Sequence, residues 1–114
     1  RDNVMQVKLD ANNQLTCDGK TVTYQQLTAE VRSLAFVNRT GHVVSIQADP
    51  ATTYEAYFRM QDAIVSAYHE LREEYARKHY GHSYASCTND ERTALNEYYP
   101  QRISEAPIQE GGAR

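Results

Sequence analysis

An α+β two-layer sandwich is the fold class this 114-residue sequence predicts: a small mixed sheet of about four or five strands, two main helices on one face, and a short third helix. Two observations predict it. Val43 to Asp49 alternates, with Val44, Ile46 and Ala48 on one face and Ser45 and Gln47 on the other. From Tyr54 the apolar residues fall at helix spacing instead: Tyr57, Phe58, Ile64, Val65, Tyr68, Leu71 and Tyr75, interrupted by Gln61. A strand with one wet face, followed by a helix with one apolar stripe, builds two layers.

The elements follow in order. Met5, Val7 and Leu9 alternate with Gln6 and Lys8, which reads as a strand with one buried face. Ala11-Asn12-Asn13 is a turn, and Gln14 to Cys17 a second strand. Asp18-Gly19 suits a tight hairpin, so Lys20 to Val22 returns as a stub. Thr23 with Gln26 has the form of a capping box, opening a helix whose stripe is Tyr24, Leu27, Val31 and Leu34 and which stops near Leu34 to Asn38. Thr52 with Glu55 repeats that form ahead of a long helix from about Thr53 to His79, roughly 40 Å at about 1.5 Å per residue. Strands of about six residues span only about 20 Å, so the far half of this helix needs another partner. Thr88 with Glu91 starts a third helix through Ala94, Leu95 and Tyr98, ended by Pro100. Tyr75, Tyr80, Tyr84, Tyr98 and Tyr99 are expected to form an aromatic satellite core between the two helices. Ile103 to Ala106 reads as a last strand with Ile103 inward. Residues 1–107 make one domain with an extra helical piece at about 80–99, and 108–114 a flexible tail.

Composition excludes several classes. A charged fraction of 24% and a hydrophobic fraction of 40% belong to a folded domain rather than a disordered one. A net charge of −3, without clustered Lys and Arg, argues against nucleic acid as partner. Nine Tyr against two Phe and no Trp suit a small, half-exposed interior, because a phenol ring can cover a core while its hydroxyl meets water. No apolar run is long enough to span a membrane and no signal peptide is present. The chain starts at Arg1 without Met and so reads as a processed or excised piece, with any membrane anchor upstream.

Chemistry-bearing patterns are few. His69-Glu70 lacks the second histidine of a zinc protease motif, since position 73 is Glu. His79 and His82 could hold a metal, but a closed site wants four ligands, and helix-end histidines are commoner. Cys17 and Cys87 match no zinc or redox spacing; a disulfide between them stays open, with separate thiols the commoner reading. Glu73–Arg77 and Glu74–Lys78 have the spacing of exposed helical ion pairs. Asp49, beside Pro50, suits an Asx-type turn better than acid catalysis. No catalytic residue, metal site or cofactor is expected, and the chain reads as no enzyme.

Three pieces carry a family resemblance: Val7-Lys8-Leu9 with Asn12 to Leu15 and Asp18 to Thr23 leading to Leu27; the strand closing in Ala48-Asp49; and Tyr54-Glu55 opening the next helix. On these residues, over about 4 to 70, the chain resembles the periplasmic domain of the ExbD/TolR family of biopolymer transport proteins. The elbow Ala48, Asp49, four residues, Tyr54 falls where the family places it. The chain departs after about residue 72, resembling a longer branch with an extra helical piece. The resemblance implies a domain in the periplasm, tethered to the inner membrane by a single upstream helix that bears the ion-coupling residue. It implies an ExbB-like channel subunit and a TonB-like protein as partners, homodimerisation, and powering of outer-membrane active transport by the proton-motive force. The TolR alternative implies envelope work and peptidoglycan binding through Gln6, Lys8, Ser45 and Gln47. A small ferredoxin-like enzyme using Asp49, His69 or His82 is a weaker alternative. Strand-edge contacts are expected at Val4, Gln6 and Lys8 or at Ile103, Ser104 and Glu105, because open edges offer unpaired amides and carbonyls.

Overall fold

Alternation along Val4–Leu9 (β1) decides which face of the sheet is covered. Met5, Val7 and Leu9 are buried, while Val4, Gln6 and Lys8 are exposed. The computed structural model describes residues 3–105; Ala106 and the expected tail, 108–114, lie outside the described residues. β2 (Leu15–Cys17) and β3 (Lys20–Thr21) form a hairpin. Its turn residues, Asp18 and Gly19, both have positive φ (50° and 86°), as the two-residue turn expected there requires. α1 (Tyr24–Asn38) follows, opened by the predicted Thr23–Gln26 capping box, then β4 (Val43–Ala48), α2 (Tyr54–Tyr80), a 3₁₀ turn (Tyr84–Ser86), α3 (Asn89–Tyr98) and β5 (Ile103–Glu105).

The sheet order is β3-β2-β1-β4-β5. β4 runs parallel to both β1 and β5, and the hairpin strands are antiparallel, so the sheet is mixed as expected. This order corrects the expectation that Val4–Leu9 is an open edge. The crossover through α1 lays β4 along the whole of β1, and the hairpin folds β2 onto its other side at Val7–Leu9. Gln6 is held there as well: its amide donates to Asp18 Oδ1 (2.8 Å) and its carbonyl accepts from the Asp18 amide (2.8 Å).

Both long helices cover the side of the sheet that carries Val7, Leu9, Val44 and Ile46. α1 contributes Leu27, Val31 and Ala35; α2 contributes Ala56, Met60, Ala63, Ile64, Ala67, Tyr68 and Leu71. Each large apolar side chain buried this way stabilises the fold by about 1.5–3 kcal/mol. The α2 stripe is rotated from the predicted one. Phe58 is 57% exposed, and the small residues Ala56, Ala63 and Ala67 take the seam instead, where α1 approaches closely. The predicted Thr52–Glu55 box is also corrected. Thr53 is the N-cap, accepting from the Ala56 amide (3.1 Å), and because the third helical residue is Ala56, which cannot reciprocate, the Thr53 amide donates to Asn13 Oδ1 (2.9 Å).

Beyond Leu71 the helix leaves the sheet and meets the segment from the 3₁₀ turn to α3. The satellite core there is Ala76, Cys87 and Leu95, with Tyr75, Tyr80 and Tyr84 packed against it. Tyr99 joins the main core instead, and Tyr98 stacks between Tyr75 (4.2 Å between centroids) and the Arg39 guanidinium (3.4 Å). The five tyrosines thus divide between two clusters rather than forming one. Cys17 and Cys87 are both buried free thiols in different clusters, which closes the disulfide alternative. Glu73–Arg77 pairs as predicted (2.5 Å), but Glu74 pairs with Arg32 of α1 rather than with Lys78. Arg32 also reaches Glu70 (2.8 Å), so α1 is pinned to the far half of α2.

A buried polar network ties this added segment to the sheet. Arg72 donates through Nε and Nη2 to the Tyr99 carbonyl (3.0 and 2.8 Å). Arg102 Nε donates to the His42 carbonyl (2.9 Å), immediately before β4 and β5 pair. His42 sits beneath: Nδ1 lies 2.7 Å from the Arg39 carbonyl and Nε2 lies 2.6 Å from the Tyr68 hydroxyl. Burial lowers the His42 pKa and pushes the Tyr68 phenol up to about 12.

Candidate interaction surface

β5 ends the sheet and has a strand neighbour on one side only among the described residues. The Val44 amide donates to the Arg102 carbonyl (2.9 Å), and backbone groups alternate sides along a strand. Ile103 and Glu105 therefore turn their amides and carbonyls outward, while Ser104 faces β4. Ile103 packs against the main core, Ser104 is exposed, and Glu105 is exposed with its carboxylate accepting from Gln61 Nε2 (3.2 Å). The result is a short strand edge held in place from below. The opposite edge, β3, has only two residues.

The uncovered face is a second surface. Cross-strand register sets Lys8 beside Gln47 and Thr16, and Gln6 beside Ser45, which in turn faces Ser104. Val4 and Val43 pair at one end of the same face. Val4, Gln6 and Lys8, expected at an edge, therefore stand on this broad polar face.

The elbow between β4 and α2 is built as predicted. Asp49 Oδ1 accepts from the Ala51 amide (2.8 Å), its carbonyl accepts from the Thr52 amide (3.0 Å), and its own amide donates to the Leu9 carbonyl (2.9 Å). Asp49 is thus an Asx-turn residue, and Ala48 ends the strand. Tyr54 does not enter the core: it is 81% exposed and stacks on Phe58 (6.2 Å). Phe58 borders a groove of 280 Å³ between α1 and α2, with Tyr24, Thr28, Arg59 and Asp62.

His79 and His82, whose spacing left a metal pair open, are not brought together. His79 lies against Tyr75 (3.9 Å), while His82 Nε2 bonds Glu91 Oε1 (3.1 Å). His82 instead meets Glu91 and Cys87, with ligand atoms within 4.8 Å of one another. Sequence reading missed this group because His-x₄-Cys-x₃-Glu is no standard metal spacing; its one signal was the Thr88–Glu91 capping box, which fixes where Glu91 lies. Asp49 and His69, the other residues weighed for catalysis, are not part of that group.

The model of the family described as biopolymer transport protein ExbD/TolR matches residues 1–71. The chain belongs to the ExbD/TolR family. The matched part contains β1 to β4, α1 and the first two-thirds of α2, so most of the two-layer frame lies within the family match. It ends where α2 leaves the sheet. The satellite core, α3 and β5 lie beyond it. No curated protein matches the chain closely enough to count as a relative. Among the described residues no helix is long and apolar enough to cross a membrane.

Proposed function

We propose that residues 1–107 form the single periplasmic domain of an ExbD-like subunit, tethered to the inner membrane by an upstream helix, in a proton-motive-force-driven transducer of the ExbB–ExbD–TonB type. The observation that carries this reading is the family match over the two-layer frame. The domain works by contact rather than by bond making, through the outward amides and carbonyls of Ile103 and Glu105. A strand edge of this kind suits an extended TonB-like segment or a second copy of the chain. The channel subunit is engaged through the upstream helix.

The test is a heteronuclear NMR titration with an extended TonB-like peptide. Shifts are expected at Ile103–Glu105 and, across the ladder, at Val44–Ile46; perturbation confined to the helices would overturn the assignment. Sedimentation as a monomer at high concentration would remove the homodimer.

The open polar face favours a second reading, TolR-like attachment to peptidoglycan. Gln6, Lys8, Ser45 and Gln47 offer amides, a hydroxyl and an ammonium to sugar hydroxyls and peptide carboxylates. Co-sedimentation with purified cell wall, abolished by Gln6→Ala with Gln47→Ala, supports it; a chain that stays in the supernatant removes it.

A further inference from the structure

Three metal-ligating side chains meet where α2 gives way to α3. Gly81 ends α2 in the left-handed conformation (φ 75°), its amide donating to the Arg77 carbonyl, so His82 follows directly out of the turn. Ser83 caps the 3₁₀ turn, which delivers Cys87. Thr88 caps α3 and sets Glu91 on its first turn. We propose that His82, Cys87 and Glu91 bind one zinc-class divalent ion, with a fourth position left to solvent or to a further ligand.

The donor set argues for this class of ion. Imidazole, thiolate and carboxylate are the three ligand types zinc takes, whereas magnesium and calcium want oxygen throughout. Tetrahedral zinc with arms of about 2.0–2.3 Å sets nitrogen and oxygen roughly 3.3 Å apart, and sulfur roughly 3.6 Å from either. His82 Nε2 and Glu91 Oε1 already stand 3.1 Å apart. All ligand atoms lie within 4.8 Å, so closure on an ion needs a shift of about 1 Å.

The surroundings are those of a supported site. Cys87 is buried (5% exposed), its S–H directed at the Ser83 carbonyl (3.4 Å). The Tyr80 ring stacks on His82, and the Thr88 amide donates to Glu91 Oε1 (2.9 Å), holding two of the ligands. Metal entry displaces the thiol proton to solvent. Among the described residues the buried satellite core is Ala76, Cys87 and Leu95, and cores that small are commonly stapled by disulfides or metals. An ion here fixes the loop after α2 to the start of α3.

The competing account is that Glu91 serves only the capping box. Gln closes a capping box as well as Glu does, so Glu91→Gln keeps the helix start while replacing a carboxylate ligand with an amide. The experiment uses the tag-free, reduced, metal-stripped chain, titrated with Zn²⁺ by calorimetry and with Co²⁺ by absorption. Expected are one ion per chain, a thiolate-to-cobalt charge-transfer band, and a thermal transition raised by zinc. Cys87→Ser and Glu91→Gln should weaken binding by more than about 100-fold, beyond the loss typical of outer-shell changes. Cys17→Ala and His79→Gln should leave it unchanged. A cobalt spectrum lacking the thiolate band in the unsubstituted chain would overturn the proposal even if a variant failed to fold, as would undiminished binding by Cys87→Ser.

Discussion

Tyr68→Phe removes the buried hydroxyl that is bonded to His42 and should cost far more than one oxygen atom suggests. Tyr68 and His42 are almost wholly enclosed, at 0% and 1% exposed. His42 Nδ1 faces the Arg39 carbonyl, which can only accept, so Nδ1 carries the proton and Nε2 is the acceptor of the Tyr68 hydroxyl at 2.6 Å. Phe fills the same space but leaves Nε2 unpaired in the core, a loss of about 1–3 kcal/mol. For a domain of about this size, each kcal/mol lowers the melting temperature by about 4–8 °C. Thermal unfolding followed by circular dichroism should therefore fall by at least about 4 °C. A fall within about 1 °C would mean that water replaces the hydroxyl and that the pocket is not closed. The same ring sets an acid response. Burial depresses the His42 pKa in the folded chain below the ordinary value of about 6.5. The unfolded chain therefore takes up the proton first as pH falls, so this contribution is complete above about pH 6.5 and is lost progressively below it, down through the folded pKa. Stability measured in urea should decline from about pH 7.5 to 5.5; a flat profile, once carboxylate effects are matched with His42→Gln, would refute the assignment.

Leu95→Ala empties a fully buried position in the satellite core and should destabilise by about 2–5 kcal/mol, read by urea melts. Tyr98→Ala removes the stack on Tyr75 and the Arg39 contact, and should lower the melting temperature by several degrees, at about 0.5–1.5 kcal/mol for the aromatic pair alone; an unchanged melt removes the idea that this stack holds α3 to α2. Glu105→Pro deletes an outward amide and should abolish TonB-like peptide pairing in the NMR titration with little change in melting, whereas Ser104→Pro should break the ladder to β4 and melt the strand. Burial, reinforced by Asp18, pushes the Cys17 thiol up to about 11, so it should resist alkylation by a neutral maleimide until the fold is opened by denaturant.

Periodicity made the two-layer frame legible because its long elements each have one wet and one dry side. β1 and β4 alternate, α1 and α2 follow the helical period, and Thr23 and Thr88 announce helix starts that the structure keeps. What periodicity cannot carry is strand order. Val4–Leu9 looks the same at an edge or in the middle, and it is the pairing of β4 on one side and β2 on the other that makes it interior. Phe58 misled for a related reason: helical spacing drew it into the stripe as an apolar residue, whereas the close approach of α1 selects alanines. Cys87 and Glu91 were read separately, one as a thiol and the other as a cap, because their meeting with His82 depends on the Gly81 and Ser83 turns.

The strand proposed for partner pairing lies beyond the matched family frame, and this bears on how the edge is held. β5 shares no loop with the β1–β4 core; it arrives from α3 through Tyr99, Pro100 and Arg102. Its position rests on Arg72 gripping the Tyr99 carbonyl and Arg102 gripping the His42 carbonyl, two guanidiniums donating to backbone rather than to carboxylates. Hydrogen bonds from a charged donor are worth about 1.5–3 kcal/mol each, enough to fix a strand of only three described residues, which its own ladder alone would hold weakly. Loosening the satellite segment should therefore free the edge before it unfolds the sheet. Exchange of the Ser104 amide, the one that faces β4, should accelerate in Leu95→Ala while the amides of Val7 and Gln47, which lie between β1 and β4, stay protected. Equal acceleration of all three sites would mean that the edge and the frame open as one unit.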